Sequence, residues 1–352
     1  MYYFINASKD ATIYKQQETQ NTGLDEVLEV SKTYIGSLLD IAHTLIKFET
    51  TTLSDLITAG TVLMESAELI MYECDGEALQ LEYAIHAHPI SQSWEMGVGT
   101  RFDAVTVHGT TWEHKRTSTN WLSGSYAPTT TGSLTGDGGT WYTSYEVSQS
   151  YNYESADVVM DVLDPLTAWI DNDIPNEGFI LKLSDTAENN VVDYGHVQFF
   201  SKETNTIYQP RLRIGWDDST FATGSLTALT ADEIDIRYKR LKTKYRTTST
   251  PRISVVGREK YPLKSYTAQY SYTDIKYLPS TTWYQIKDAV THEVIIPFSD
   301  YTKVSCDSTG NYFMLNLTNW TINRDYYVEI KVERSGMIEY FSDDDMVFLV
   351  EK

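Results

Sequence analysis

The sequence predicts an all-β fold, in which a jelly-roll β-sandwich is followed by a smaller immunoglobulin-like β-sandwich. Short runs rich in Val, Ile, Tyr, Phe and Thr recur along the chain and are bounded by Gly, Asn, Asp, Ser and Pro, a pattern typical of strands joined by turns. No long segment has the apolar spacing of an extended amphipathic helix. Residues 217–225 form a turn-rich stretch that separates two strand-rich halves.

The first half contains six strand candidates and two short helix candidates. The strands are predicted at residues 11–14, 28–30, 45–48, 178–183, 199–203 and 210–214. Segment 178–183 alternates apolar and polar residues after Phe179, which predicts a strand with one buried face. The helices are predicted at residues 53–63, where Gly60 provides a stop, and at residues 162–170, where Pro165 fits the first turn.

The second half contains another set of strand candidates. They lie at residues 234–238, 252–256, 283–286, 294–298, 312–315, 326–332 and 346–350. This number of strands is typical of an immunoglobulin-like sandwich, although no Cys-Trp-Cys framework is present. The predicted domains are therefore residues 1–220 and 228–352.

Length and composition indicate a globular chain of two domains. The chain has 352 residues, of which 41% are hydrophobic. No apolar run approaches the roughly 20 residues of a membrane-spanning helix, and the first residues lack the features of a cleaved secretion signal, so we expect synthesis in a cytoplasm. Cys74 and Cys306 fall in different predicted domains, which makes a disulfide between them improbable.

The charge is distributed unevenly. Residues 1–236 carry a net charge of −24, residues 237–264 carry +9 and the remaining residues carry −6. The basic segment is interpreted either as a solvated strand face or as a docking strip for an acidic protein surface, which could be the chain's own N-terminal domain. The overall charge of −21 disfavours nucleic acid as a partner. The candidate docking residues are Arg237, Lys239, Arg240, Lys242 and Lys244.

The sequence contains no recognisable catalytic motif, and we expect no enzymatic activity and no cofactor. His86 and His88 are two residues apart, so on a strand they share a face and could bind a metal with a third group such as Glu82 or His108; ordinary polar strand residues are the alternative. Residues 137–139 and 343–345 contain carboxylates that could contact calcium, but such runs are more often turns.

Large aromatic residues are frequent in the middle of the first predicted domain. We expect Trp94, Trp112 and Trp169 to fill its core. Four others flank a Gly- and Thr-rich insertion and are predicted to contact a partner protein or a glycan. These are Trp121, Tyr126, Trp141 and Tyr142.

Two resemblances to known families accompany these patterns. Residues 11–48 together with residues 161–214 resemble the DNRLRE family, a jelly-roll domain related to carbohydrate-binding modules. Residues 230–352, notably the passages 257–262, 278–288, 294–298 and 305–313, look like the C-terminal module of virion structural proteins of contractile-tailed marine phages. The second resemblance implies a place in a particle among other virion proteins and copies of the chain itself.

Two functional classes follow from the sequence. The first is a non-enzymatic structural component of a tailed phage virion, in the neck, tail fibre or baseplate region, which is made in the host cytoplasm and acts through protein–protein contacts. The second is a carbohydrate-binding module used for attachment to a host surface.

Overall fold

The structure is a computed structural model, which describes residues 1–122, 138–152, 157–239, 241–262 and 275–352, without the side chains of residues 343–346. Strands make up 47% of the chain and helices 9%. The all-β sandwich prediction is therefore confirmed, since a typical globular protein is about one-third helical. No helix in the described part of the chain has the length and apolar character that a membrane span requires.

The chain divides into two compact units. The large unit consists of residues 5–62 and 66–213, and the small unit consists of residues 1–4, 63–65 and 214–352. The chain therefore changes units four times, after residues 4, 62, 65 and 213.

Within its described residues, the first part of the chain contains thirteen strands and three short α-helices, besides one turn of 3-10 helix at Lys15–Gln17. The strands are β1 (Tyr2–Tyr14), β2 (Val27–Ile35), β3 (Leu38–Phe48), β4 (Ser66–Met71), β5 (Glu73–Glu77), β6 (Glu82–Pro89), β7 (His114–Arg116), β8 (Thr119–Asn120), β9 (Val147–Asn152), β10 (Val158–Asp161), β11 (Phe179–Leu183), β12 (Gly195–Phe200) and β13 (Arg211–Gly215). The helices are α1 (Thr51–Thr58), α2 (Leu163–Ile170) and α3 (Asp185–Asn189). Helices α1 and α2 confirm the two predicted helices.

Strand β3 is the centre of the large unit. It pairs with β1, β2 and β11, and β11 continues the ladder to β6 and β9. The buried cluster over this ladder contains Ala11, Ile13, Ile41, Leu45, Ile90, Trp94, Trp112, Trp121, Trp141 and Ile180. The burial of Trp94 and Trp112 here, and of Trp169 elsewhere in the unit, confirms their predicted core positions.

Strand β11 differs from its prediction. All five of its residues are buried, including Lys182, whereas the alternating pattern predicted a polar side facing solvent. The prediction was wrong because β11 lies between β3 and β6, while the carboxylates of α3 receive the Lys182 ammonium.

In the part of the small unit that the structure describes, eleven further strands follow, besides one turn of 3-10 helix at Asp300–Thr302. They are β14 (Thr227–Ala228), β15 (Ile234–Lys239), β16 (Lys244–Arg246), β17 (Arg252–Glu259), β18 (Lys276–Tyr277), β19 (Thr282–Asp288), β20 (Val294–Ile296), β21 (Ser305–Asp307), β22 (Gly310–Met314), β23 (Arg324–Arg334) and β24 (Met337–Glu351). They form a six-stranded sheet around β17 and β22 and a five-stranded sheet around β23 and β24.

The core of the small unit contains apolar side chains of both sheets. Tyr284 of β19 stacks on Phe313 of β22 with ring centroids 4.2 Å apart. Ile253, Val255, Val328, Ile330 and Phe348 belong to the same buried cluster. These contacts explain why the alternating segments of the second half form a sandwich.

Candidate functional site

A loop of the large unit, residues 97–107, exposes apolar side chains. Phe102 is 89% exposed, and Val98, Val105 and Val107 are also exposed. Leu24, whose amide donates to the Gly99 carbonyl at 2.9 Å, adds another exposed side chain beside them. An exposed group of large apolar side chains is typical of a surface that contacts another protein.

The base of this loop is held by one buried amide side chain. The Asn21 Nδ2 donates to the carbonyls of Met96 at 2.8 Å and Thr110 at 2.7 Å, while its Oδ1 accepts from the Gly99 amide at 2.8 Å. Asn21 is fully buried. Its hydrogen bonds therefore join both ends of the loop and fix how the chain leaves and re-enters the unit.

Two glycines allow the chain to approach this amide. Gly97 and Gly109 have φ values of +83° and +104°, which side chains rarely adopt. A Cβ atom on Gly97 would lie 2.3 Å from the Asn21 Oδ1, and one on Gly109 would lie 2.3 Å from the Gly97 Cα. The loop base is therefore a close-packed backbone arrangement that only glycine permits at these positions.

Arg101 anchors the middle of the loop, next to the exposed phenyl ring. Its guanidinium donates to the Glu29 Oε2 at 2.7 Å and lies over the ring of buried Tyr14, 4.0 Å from the centroid. Its amide donates to the Asp25 carboxylate at 3.0 Å. The neighbouring Phe102 is thus presented on a braced segment, which lowers the entropy lost on binding.

Sequence reasoning missed this loop. The apolar residues at positions 98, 102, 105 and 107 follow neither strand nor helix spacing, and the buried anchors lie far away in sequence. The available signal was a phenylalanine and three valines in a Gly-, Thr- and Asp-containing segment without periodicity.

The predicted aromatic contact residues lie elsewhere. Trp121, Trp141 and Tyr142 are buried, and Trp121 donates its indole N–H to the Thr111 carbonyl at 3.1 Å. They therefore have no free face for an outside partner, which corrects the sequence prediction for these three. The physical reason for the two tryptophans is that their large rings belong to the apolar cluster over β3. Tyr126 lies outside the described residues.

The predicted basic strip is partly neutralised inside the small unit. Strands β15 and β17 pair antiparallel, which places Asp235 opposite Arg258. The Asp235 carboxylate contacts both Arg258, at 2.8 Å, and Arg237, at 3.0 Å. The two arginines hold the pKa of Asp235 below its usual value, although burial acts in the opposite direction. Lys244 lies 3.7 Å from Glu351.

Two lysines of the strip remain without an ion pair among the described residues. Lys239 ends β15, Lys242 precedes β16, and both are exposed. Arg240, between them, lies outside the described residues. Exposed Arg246 likewise has no ion pair among the described residues, so the excess positive charge of the described part of the strip lies between residues 239 and 246.

A second polar group lies in the interior of the large unit. The Lys182 Nζ contacts the Asp185 Oδ1 at 2.7 Å and the Glu188 Oε2 at 3.0 Å. The His43 ring bridges from the Glu188 Oε1, 3.0 Å away, to the Gly138 carbonyl, 2.8 Å away. Burial alone would raise the pKa of Glu188, but His43 and Lys182 together hold it below its usual value.

A third polar group joins β6 to the start of β9. His86 and His88 share one face of β6, as predicted, and the Glu146 carboxylate contacts the His86 Nδ1. The His88 Nδ1 lies 4.0 Å from the other oxygen of Glu146. Burial is the main reason that the pKa of His88 falls to about 4; Glu146 opposes this change and Lys182 adds to it.

The third side chain beside the two histidines is therefore Glu146. The predicted partners Glu82 and His108 are not part of this cluster. Glu82 is opposite Asn152, at the far end of the β6–β9 ladder. The calcium prediction at residues 137–139 depends on Asp137, which lies outside the described residues, as do the side chains of Asp343, Asp344 and Asp345.

Comparison with known proteins adds little. No family model matches the sequence, and no curated protein matches it either. Among solved structures, a crystal structure of the β-glucuronidase of Parabacteroides merdae aligns with 82% of this chain at 8% identity and a TM-score of 0.17. The aligned region is 29% of that enzyme. A TM-score this low carries no argument about the fold or the activity of this chain.

Proposed function

We propose that the protein is a non-enzymatic structural component of a tailed phage virion and acts through contacts with neighbouring proteins of the particle. The resemblance of residues 230–352 to virion modules supports this function. The single structural observation in its favour is the braced loop 97–107, which exposes Phe102 on a segment held by buried Asn21 and Arg101. Rigid, exposed aromatic side chains are typical of the central contacts of protein interfaces.

The partner we propose for the loop is an apolar pocket on a different protein of the particle. Residues 1–236, which contain the loop, carry a net charge of −24, so two copies would repel each other if these surfaces met. A neighbouring protein with a less acidic surface avoids this repulsion.

The alternative function, glycan binding, has less support. It depended on four aromatic side chains as a stacking platform, and the three described ones are buried. The exposed surface of the braced loop is mainly a phenyl ring and valines, and its exposed carboxylate, Asp103, already accepts a hydrogen bond from Thr100. Few groups there are left to bind sugar hydroxyls.

We expect Phe102→Asp to prevent incorporation of the protein into particles. The substitution places a charge at the centre of the proposed contact, and loss of a central aromatic contact costs about 2 kcal/mol or more in typical interfaces. The measurement is quantitative mass spectrometry of purified virions of the phage that encodes the chain, made with the variant. Val191→Asp is the matched control, because Val191 is 90% exposed but lies outside the loop.

Particles that contain the Phe102→Asp and Val191→Asp proteins in equal amounts would contradict the role of the loop. Absence of the wild-type chain from the virions would contradict the proposed function itself. Light scattering of the purified wild-type and Phe102→Asp proteins tests whether the partner is instead a second copy of this chain. If the wild type self-associates and the variant does not, the loop binds a second copy and not a different virion protein.

The basic side chains give a second, independent expectation. We expect the double variant Lys239→Glu, Lys242→Glu to weaken incorporation at low salt, because these exposed cations, which have no ion pair within the described part of the chain, attract an acidic partner surface. The control is Arg116→Glu, Lys352→Glu, which changes the net charge equally at exposed positions elsewhere. Equal incorporation of both double variants at about 50 mM salt, where screening is weak, would eliminate the strip as a docking surface.

A further inference from the structure

We propose that His86, His88 and Glu146 bind a divalent transition-metal cation of the zinc class. The nitrogen and oxygen atoms that these residues offer as ligands all lie within 4.8 Å of one another. This inference concerns the large unit alone and does not depend on the proposed virion function.

The β6–β9 ladder places the three side chains together. His86 and His88 are two residues apart on β6 and therefore share a face of the strand. Strand β9 pairs antiparallel with β6, and Val147 lies opposite Ala87. Glu146, which precedes Val147 in the chain, therefore lies opposite His88. Tyr145, just before it, has a φ of +66°, and this left-handed residue turns the chain into the strand at Glu146.

An unpartnered nitrogen points to a missing ligand. The His88 Nδ1 is buried and has no hydrogen-bond partner among the residues that the structure describes. It lies 4.0 Å from the Glu146 Oε2, which is too far for a hydrogen bond. Leaving a buried polar atom unpaired is costly, and a cation between the nitrogen and the carboxylate would satisfy both.

Side-chain rotation is needed to gather the atoms around one cation. Zinc binds histidine nitrogens and carboxylate oxygens at about 2.0–2.2 Å, so two ligands of a four-coordinate ion lie about 3.4 Å apart. The His88 and Glu146 atoms are 4.0 Å apart, somewhat farther than this, while the Glu146 carboxylate contacts the His86 Nδ1 directly. Glu146 has the most exposed side chain of the three, at 39%, so its carboxylate has room to rotate away from His86 and toward His88.

The donor set selects the class of metal. Two imidazole nitrogens and one carboxylate favour zinc and its neighbours over calcium and magnesium, which prefer oxygen ligands alone. A site with three protein ligands leaves a fourth position for water.

The nearby positive charge is compensated. Lys182 lies opposite His86 in the β11–β6 ladder, but its ammonium is bound by Asp185 and Glu188. A cation at the histidines therefore adjoins an internally neutralised ion cluster.

The test is titration of the metal-free full chain with Zn²⁺ by calorimetry, with Co²⁺ absorption as a second measurement. We expect one Zn²⁺ per chain and a visible Co²⁺ spectrum typical of four-coordination. Glu146→Gln and His86→Asn should each weaken Zn²⁺ binding at least about tenfold, the smallest effect usually seen when a group that supports a metal site is lost. Both residues are partly exposed, so these variants are expected to fold.

His196→Asn is the matched control. His196 lies 3.6 Å from Asp75 on the neighbouring strands, a histidine–carboxylate pair without a second histidine. Unchanged Zn²⁺ affinity in this variant is expected. The proposal is overturned if the wild-type chain does not bind Zn²⁺ at about one equivalent, or if the Glu146 and His86 variants bind it as tightly as the wild type.

Discussion

Replacing Lys182 with Met will lower the free energy of unfolding of the large unit by about 3 kcal/mol or more, the usual cost of removing one partner of a buried ion pair. The Lys182 side chain is 1% exposed, and its ammonium bonds to Asp185 and Glu188. Methionine fills similar space but removes the ammonium from the Glu188 carboxylate, which is 12% exposed and keeps its contact with the His43 ring.

The effect can be assigned by urea denaturation combined with hydrogen exchange of peptides from β3 and β11. Lys303→Met is the matched control. Lys303 also pairs with an exposed aspartate three residues away, Asp300, but the Lys303 side chain itself is 33% exposed. The control should cost about 1 kcal/mol or less. The double variant Lys182→Met, Glu188→Gln should be more stable than Lys182→Met alone. Equal costs for the two lysines would contradict the ion cluster.

The fold could be predicted from the sequence to the extent that local patterns determine it. The β2–β3 and β23–β24 hairpins turn at Gly36 and at Ser335-Gly336, with φ values of +68°, +50° and +77°. Such turns, with alternating apolar residues on either side, are visible in the sequence. The end of α1 shortly before Gly60 and the end of α2 at Ile170 are likewise determined by residues close in sequence.

The candidate sites depend on contacts between distant residues, which the pattern does not contain. Lys182 was assigned to a solvent-facing side because a lysine in an alternating strand usually lies there, and only α3 makes its burial possible. The same limit applies to Glu146, which reaches His86 and His88 through a ladder between residues about sixty positions apart. Composition also cannot distinguish an indole at a surface from one in the core, as with Trp121 and Trp141.

Asp10→Asn will stabilise the large unit more at pH 8 than at pH 5. Asp10 lies on β1, is 1% exposed and accepts a hydrogen bond from the Lys202 amide at 2.6 Å. Burial raises its pKa to about 7, an effect that the Lys202 amide and ammonium reduce and that Glu203 increases. The folded chain therefore holds a proton that the unfolded chain releases near pH 3.8.

The sign of the pH effect follows from that difference. Because the folded state binds the proton more tightly, the contribution of Asp10 to stability is complete below pH 3.8 and is lost as the pH rises through about 7. The asparagine keeps the acceptor for the Lys202 amide and cannot ionise. The difference in the free energy of unfolding between the variant and the wild type should therefore increase by about 2–3 kcal/mol from pH 5 to pH 8, in favour of the variant.

Urea denaturation at the two pH values, with hydrogen exchange of β1 peptides to identify the unit, measures this advantage. Asp171→Asn is the matched control, because it makes the same substitution at an exposed carboxylate in the same unit. If the Asp10 variant behaved like this control, the buried carboxylate would be ionised at little cost in the folded chain. The Lys202 amide would then be sufficient to stabilise the charge, and the burial argument for Asp10 would be wrong.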